Sequence, residues 1–202
     1  MKSLVLIGGG GHCRSCIDVI ESDGRFKIEG IIDKNKEKAI STFGVPILGT
    51  DDDLPHIIKK YEYAIITIGQ IKSAKKRKEL FKVIDNLEAS IPIIIAKSSV
   101  VSRHSIIGDG SIVMHRAIVN AGASIGRNAI INNMALVEHD VNIGNHCHIS
   151  TGVLINGGVR IGEESFIGSG AVLREGISLP SHTVISAGKR VMGWPLRREN
   201  SK

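Results

Sequence analysis

From Val101 to Val191 every sixth residue is aliphatic, sixteen positions in succession with no exception and no inserted residue. The rungs are Val101, Ile107, Val113, Val119, Ile125, Ile131, Val137, Ile143, Ile149, Ile155, Ile161, Ile167, Leu173, Leu179, Ile185 and Val191. With about one residue in three aliphatic, chance gives such a run with odds on the order of 10⁻⁸. A helix repeats every ~3.6 residues and a strand every two, so a period of six requires short flat segments that turn a corner at fixed intervals and stack. This half of the chain must coil. Two residues before a rung the side chain is usually small, as at Ser99, Ser105, Ser111, Ala117, Ala123, Ala129, Ala135, Cys147, Ser165 and Ala171, which suits a tight corner. A glycine often follows the rung (Gly108, Gly126, Gly144, Gly162, Gly168) and reads as a residue placed for positive φ.

Composition narrows the function. Of 202 residues 42% are hydrophobic, ordinary for a soluble globular chain with a core of normal size. The chain leads directly into a strand-like run, Lys2 to Ile7, without a signal-peptide h-region, and no apolar stretch approaches bilayer-spanning length. The expectation is a cytoplasmic protein with no membrane partner. Three cysteines cannot build a disulfide framework, and Cys13 and Cys16 lack a second pair for zinc. Both read as small helix residues, and Cys147 as a corner residue of the repeat. The net charge of +6 divides into 15 basic and 13 acidic groups over residues 1–96 and 11 and 7 over residues 97–202. An anionic ligand suits this excess. Nucleic acid fits poorly, because 3% aromatic content offers no base-stacking platform; nucleotide phosphates fit better. The run Lys75-Lys76-Arg77-Lys78 reads as the solvated face of a helix.

The amino-terminal half reads as a strand, a glycine turn and a helix. Leu4-Val5-Leu6-Ile7 is a buried-strand run that ends in Gly8-Gly9-Gly10-Gly11-His12, before a helical pattern that buries Cys16, Val19 and Ile20. Such a turn brings backbone N–H groups and the positive helix end against phosphate. A second strand, Ile28 to Ile32, stops at Asp33, about where dinucleotide folds place a ribose-binding acid, while Cys13 stands where GxGxxG has its third glycine. A strand from Ala64 to Ile68 ends at Gly69, a helix runs through Val83, and Ile91 to Ile95 reads as another strand of the same sheet. This half of a doubly wound sheet is large enough for one nucleotide.

On the coil, Glu138-His139-Asp140 and His148 break the bland polarity of the repeat. His139 lies between the rungs Val137 and Ile143, so its side chain is expected to face outward, and an outward histidine beside carboxylates is a candidate general base.

A phosphate-binding βαβ unit joined to a hexapeptide coil that carries an E-H-[DE] step resembles the NeuD/PglD family of bacterial sugar acyltransferases, over essentially the whole chain. The resemblance implies a small Rossmann-like βαβ nucleotide-binding domain over residues 1–96. A left-handed parallel β-helix acetyltransferase domain with a carboxy-terminal tail would follow over residues 97–202, with three hexapeptides per coil. It further implies acetyl-CoA as co-substrate, a homotrimer, His139 as general base, Asp140 as the group that orients it, and His148 in contact with the acyl donor. The substrate residues carried over are Gly10, Gly11, His12, Asp33 and Gly69. Ser169 and Ala187 match positions that touch the pantetheine arm through backbone. Lys189, Arg190, Arg197 and Arg198 surround Gly193-Trp194-Pro195, which resembles the family's G-x-P end near the adenine and phosphates of the donor. One departure stands out: UDP-amino-sugar members typically have two successive acids where this chain has Asp33-Lys34.

An eighteen-residue coil adds two inferences. Gly157 stands one coil beyond His139, and its N–H is a candidate for holding the thioester oxyanion, the alternative being a glycine used only for a corner. His139 and His148 are half a coil apart, hence on opposite sides of the prism, so a site that uses both must lie between two subunits. The repeat carries no inserted loop, which leaves substrate selection to the amino-terminal domain.

The expectation is therefore an acetyl-CoA-dependent acetyltransferase acting on the amine of a UDP-linked amino sugar in bacterial cell-surface glycan biosynthesis, with no metal. O-acetylation of sialic acid or a sialic-acid-like sugar is the alternative, since it needs the same base and donor groove. A metal-dependent hydratase would require convergence among His104, His115, His139, His146 and His148 across an interface. A non-catalytic scaffold with a nucleotide-sensing domain completes the set.

Overall fold

The computed structural model describes residues 1–34 and 43–195. The tail arginines Arg197 and Arg198 lie outside the described residues. Four parallel strands form the amino-terminal sheet: β1 (Lys2–Ile7), β2 (Phe26–Ile32), β3 (Ile47–Gly49) and β4 (Tyr63–Ile66), in the order β3-β2-β1-β4. Helix α1 (Gly11–Asp23) covers one face with Cys13, Cys16, Ile17, Val19 and Ile20, and ends where Gly24 takes a left-handed conformation. Helices α2 (Leu54–Lys60) and α3 (Lys75–Asn86) cover the other face, packing Leu54, Ile57, Leu80, Phe81 and Ile84 on Val5, Ile7 and Ile32. No helix among the described residues is long and apolar enough to cross a membrane.

The rest is a left-handed parallel β-helix, a three-sided prism of two-residue strands. The first face carries Ile94–Ile95, Ile112–Val113, Ile130–Ile131, His148–Ile149, Phe166–Ile167 and Val184–Ile185. On the second are Val100–Val101, Ile118–Val119, Leu136–Val137, Leu154–Ile155, Val172–Leu173 and Arg190–Val191. The third has Ile106–Ile107, Ser124–Ile125, Asn142–Ile143, Arg160–Ile161 and Ser178–Leu179. Each rung pairs with the rung eighteen residues on, and the rungs with the small corner residues form one continuous buried cluster.

Ile94–Ile95 corrects the sequence reading, for it pairs with Ile112–Val113 and opens the coil instead of joining the amino-terminal sheet. The corners bring a second correction. Gly108, Gly126, Gly144, Gly162 and Gly168 do not have positive φ; a Cβ on Gly126 would lie 2.6 Å from the Asn145 nitrogen, so these glycines allow close stacking of coils. Positive φ falls three residues after each rung from Ile107 to Ile185, at fourteen successive sixth positions from Gly110 to Gly188, seven of them not glycine. Asp140, at φ 58°, is one of these.

The three faces differ outside. The amino-terminal domain covers the first, where Ile94, Ile112 and Ile130 are buried with Leu4, Leu6 and α1. Burial of each such side chain stabilises the docking by about 1.5–3 kcal/mol. The second presents Val100, Ile118, Leu136, Leu154 and Val172 outward, an apolar column of which Val100 is 62% and Leu154 41% exposed. Polar residues Ser124, Asn142, Arg160 and Ser178 dominate the third.

Arg77 is not part of a solvated face. It lies on the buried stripe Arg77, Leu80, Phe81, Ile84 of α3 and is 2% exposed. Its guanidinium donates to Gln70 Oε1 (2.8 Å), the Asn128 carbonyl (2.5 Å), Asn128 Oδ1 (3.1 Å) and the His146 carbonyl (3.4 Å), crossing from one domain to the other. Arg77→Ala would leave these acceptors unpaired beside a cavity, so it is expected to lower the unfolding free energy by about 3 kcal/mol in urea titration. A loss below about 0.5 kcal/mol would show that the bonds contribute little net stability.

Candidate active site

Two of the concave sites among the described residues hold the candidate residues, on different sides of the chain. The first, a cavity of about 720 Å³, forms where the carboxyl edge of the sheet meets the first face of the coil. β1 delivers the glycine turn to it. Gly8 has φ 105°, and a Cβ there would overlap Ile68. The Thr67 hydroxyl donates to the Gly8 carbonyl (2.7 Å), and the Gly9 N–H donates to Asp33 Oδ2 (2.7 Å). A Cβ on Gly10 or Gly11 would meet open space, so the start of α1 faces the cavity bare. Gly10, Gly11, His12, Asp33 and Gly69 all line this cavity, joined from the coil by His148, Ser150, Phe166 and Ser169.

His148 stands on the first face, buried against the amino-terminal domain. Its Nδ1 lies 2.9 Å from the Gln70 carbonyl, which can only accept, so Nδ1 carries the proton. Nε2 then accepts from Asn132 Nδ2 at 3.3 Å. His12 packs near it, ring centroids 5.9 Å apart, with Nε2 buried and unpartnered among the described residues.

His139 occupies the corner between the second and third faces, in a separate cleft with Glu138, Asp140, Asn156, Gly157, Gly158, Glu175 and Gly176. Nδ1 donates to Asp140 Oδ2 at 2.9 Å, which leaves the Nε2 lone pair facing outward. Glu138 Oε2 accepts from Asn120 (3.0 Å) and from the His139 N–H (3.3 Å), fixing the step at both ends. Gly157 lies one coil above, and a Cβ there would come within 2.6 Å of His139 Nε2. Its lack of a side chain makes room for the imidazole. The Gly157 carbonyl accepts from Gly176, while its own N–H has no partner among the described residues.

The same free amide recurs at Thr151, Ser169 and Ala187, stacked eighteen residues apart on the corner between the first and second faces. Lys189 and Arg190 follow at the last coil. Thus Ser169 belongs both to the cavity and to this column, whereas Ala187, Lys189 and Arg190 lie beyond the cavity. Among the described residues, no group of three or more His, Cys, Asp or Glu side chains is arranged to hold a metal ion.

Comparisons with known proteins bear on the fold and the family. Residues 3–84 match the model of the PglD N-terminal domain, and residues 140–175 match the bacterial transferase hexapeptide model of six repeats. A histidine-to-asparagine variant of perosamine N-acetyltransferase from Caulobacter crescentus, solved with CoA and GDP-perosamine, superimposes with a TM-score of 0.89 at 31% identity, over 96% of this chain and 90% of that one. The chain belongs to the NeuD/PglD family of hexapeptide-repeat sugar acyltransferases. The acetyltransferase domain of PglB from Neisseria gonorrhoeae FA1090, in complex with acetyl coenzyme A, is similar at a TM-score of 0.85 and 29% identity, over 94% and 92% of the two chains. WeeI from Acinetobacter baumannii AYE shares the fold at a TM-score of 0.70 and 18% identity, over 98% and 99%. Comparison with curated proteins gives no match.

The two sites of this family member differ in electrostatics. Burial, with Arg77 adding to it, pushes His12 down to about 4. Burial, Arg77 and His12 together push His148 down to about 3, so both rings are neutral near pH 7. At the exposed corner the Asp140 carboxylate raises His139 above the usual imidazole range. Arg77 is the residue that sequence reasoning missed, although its spacing to Leu80, Phe81 and Ile84 was a visible signal. Gln70, which bonds both Arg77 and the coil carbonyl of Glu164 (3.2 Å), carried no signal of its own.

Asp140→Asn removes the negative charge that holds His139 up. Histidine C–H resonances followed against pH should then show His139 titrating at lower pH than in the wild type, while the other exposed histidines are unmoved. An unchanged midpoint would show that Asp140 does not control the ring.

Proposed function

We propose that the chain is an acetyl-CoA-dependent N-acetyltransferase for a nucleotide-linked amino sugar, and that its working site forms between two copies of the chain. The observation that carries this reading is the outward His139, tied at Nδ1 to Asp140 and set over the bare Gly157. As the acceptor amine attacks the thioester carbonyl, His139 Nε2 takes the amine proton. The Gly157 N–H holds the oxyanion of the tetrahedral intermediate. Collapse of that intermediate breaks the C–S bond, and the proton on His139 returns to the departing CoA thiolate.

Charge favours an amine over a sialic acid. Among the described residues the cleft around His139 is lined by Glu138, Asp140 and Glu175 and by no lysine or arginine. It attracts an ammonium and repels the carboxylate of a sialic acid. The complexes of the two similar acetyltransferases support the same donor class, and the one of perosamine N-acetyltransferase with CoA and GDP-perosamine supports the acceptor class as well. A role in bacterial cell-surface glycan synthesis follows from the same reading, in the cytoplasm where acetyl-CoA and nucleotide sugars are made. The nucleotide lies on the glycine turn, with its phosphates at the amino end of α1 and Asp33 near the ribose.

Within one chain the cavity and His139 are on opposite sides, so a second copy must bring them together. The outward apolar column Val100, Ile118, Leu136, Leu154, Val172 supports this assembly, because it lies between the two corners concerned. One corner carries the free amides of Ser169 and Ala187 and the other carries His139. Three copies packed through this face close a ring in which the acyl donor runs between the amide column of one copy and His139 of the next. The cations Lys189 and Arg190 stand at the end of that groove, suited to the donor's phosphates.

His139→Ala takes nothing from the interior ladder, so melting temperature and oligomeric state should hold while acetyl transfer falls by roughly 10²- to 10⁴-fold. A folded variant with near-normal kcat would eliminate this base. Gly11→Val puts a side chain into open space at the helix start, so the protein should fold, with acceptor KM raised strongly and acetyl-CoA KM little changed. Equal loss for both substrates would contradict a nucleotide site on the glycine turn.

A further inference from the structure

Resting on the nucleotide-sugar reading, we infer that the Asp51–Lys76 pair at the far side of the cavity reads the nucleobase and selects guanine over uracil. The sheet order supplies the placement. Along its carboxyl edge come Asp51 after β3, Asp33-Lys34 after β2, the glycine turn after β1, and Gly69-Gln70 after β4. Gln70 then touches the coil, through its carbonyl to His148 and its amide to the Glu164 carbonyl. An acceptor with its diphosphate on the glycine turn must send its sugar toward the coil, where the reactive corner of a neighbouring copy lies. Its nucleoside therefore runs the other way, across β2 to β3. Those two strand spacings are about 10 Å, the reach of a nucleoside from its phosphate.

At that end Lys76 Nζ lies 2.6 Å from Asp51 Oδ2, and both residues line the cavity. The pair sets a donor beside a carboxylate, whose lone pairs still accept further hydrogen bonds. Guanine offers the matching edge: O6 accepts, and N1–H and the N2 amine donate side by side, a fork a carboxylate takes bidentately. Uracil offers acceptor, donor, acceptor, which sets carbonyl oxygens against the carboxylate. Lys34 follows Asp33 on the cavity wall and adds positive charge between base and phosphate. Asp51 and Lys76 come from elements far apart in sequence, the 3₁₀ turn Asp51–Asp53 and α3, which the packing of α2 and α3 on one face of the sheet sets side by side.

The test is calorimetric titration of the full-length protein with GDP, IDP and UDP at one ionic strength. GDP is expected to bind roughly tenfold or more tightly than UDP, with IDP, which lacks the N2 amine, in between. Asp51→Asn should erase the preference for GDP over IDP and leave UDP binding within about twofold, since its phosphate contacts remain. Lys76→Met serves as a second variant that should weaken GDP more than UDP. Equal wild-type affinities, or equal loss of all three nucleotides in both variants, would overturn the base assignment and leave the nucleotide site standing. Absence of binding by any of the three would overturn the nucleotide reading as well.

Discussion

The interior of the coil admits one aliphatic side chain per face per turn, and almost everything else about this chain depends on that restriction. Val, Ile and Leu fill the ladder from Val113 to Val191, and the polar side chains buried with them, such as Ser111 and Ser165, sit at corners with their hydroxyls bonded to backbone. Chemistry is confined to outward positions and corners, and these repeat every eighteen residues in straight columns. Regular spacing then decides which residues can meet. His139 stacks under Gly157, the free amides of Thr151, Ser169 and Ala187 align along another edge, and His148 falls on a different face from His139. A continuous coil cannot bend to bring the last two together, so separation of the two sites is built into the period.

Arg77 joins this rigid prism to the nucleotide-sized domain. It carries its charge into the seam with neutral acceptors only, two backbone carbonyls and two amide oxygens. A cation left without a carboxylate partner raises the potential of the seam. It adds to burial, the larger cause, in suppressing protonation of His12 and His148, and favours an anion in the adjoining cavity. The sites thus differ in character. One is balanced in its lining charges, Asp33 and Asp51 against Lys34 and Lys76, with bare helix N–H groups and the buried Arg77 nearby to favour a diphosphate, and the other is lined by carboxylates that favour an ammonium. A nucleotide-linked amino sugar carries both charges in one molecule.

The coil was legible in the sequence because each rung is an independent aliphatic residue at a fixed interval, and sixteen agreements require a stacked coil, while its left hand came from the family resemblance. Glu138-His139-Asp140 was legible for the opposite reason, as three ionisable residues in a bland repeat. The corners were read incorrectly, because glycine suggested positive φ at Gly108 and its equivalents, whereas the left-handed position lies two residues later and accepts Asp140, His146 and Glu164. Arg77 was hidden by its neighbours Lys75, Lys76 and Lys78, which are exposed, and by acceptors that are mostly backbone and so leave no trace in composition. Ile94–Ile95 was assigned to the preceding sheet because Ile91 to Ile95 reads as one apolar run, although Ile95 lies six residues before Val101 and so already falls on the ladder.

Sharing of the site between copies is the claim on which the mechanism stands, and complementation in mixed oligomers tests it. Two chains, one carrying His139→Ala and the other Gly11→Val, are unfolded together, refolded at equal ratio and assayed at low acceptor concentration. If each site takes His139 from one copy and the glycine turn from the next, random assembly rebuilds intact sites, and the mixture should recover about one quarter of wild-type activity. A mixture no more active than its two separate components would place both residues in the same chain's site and contradict the account.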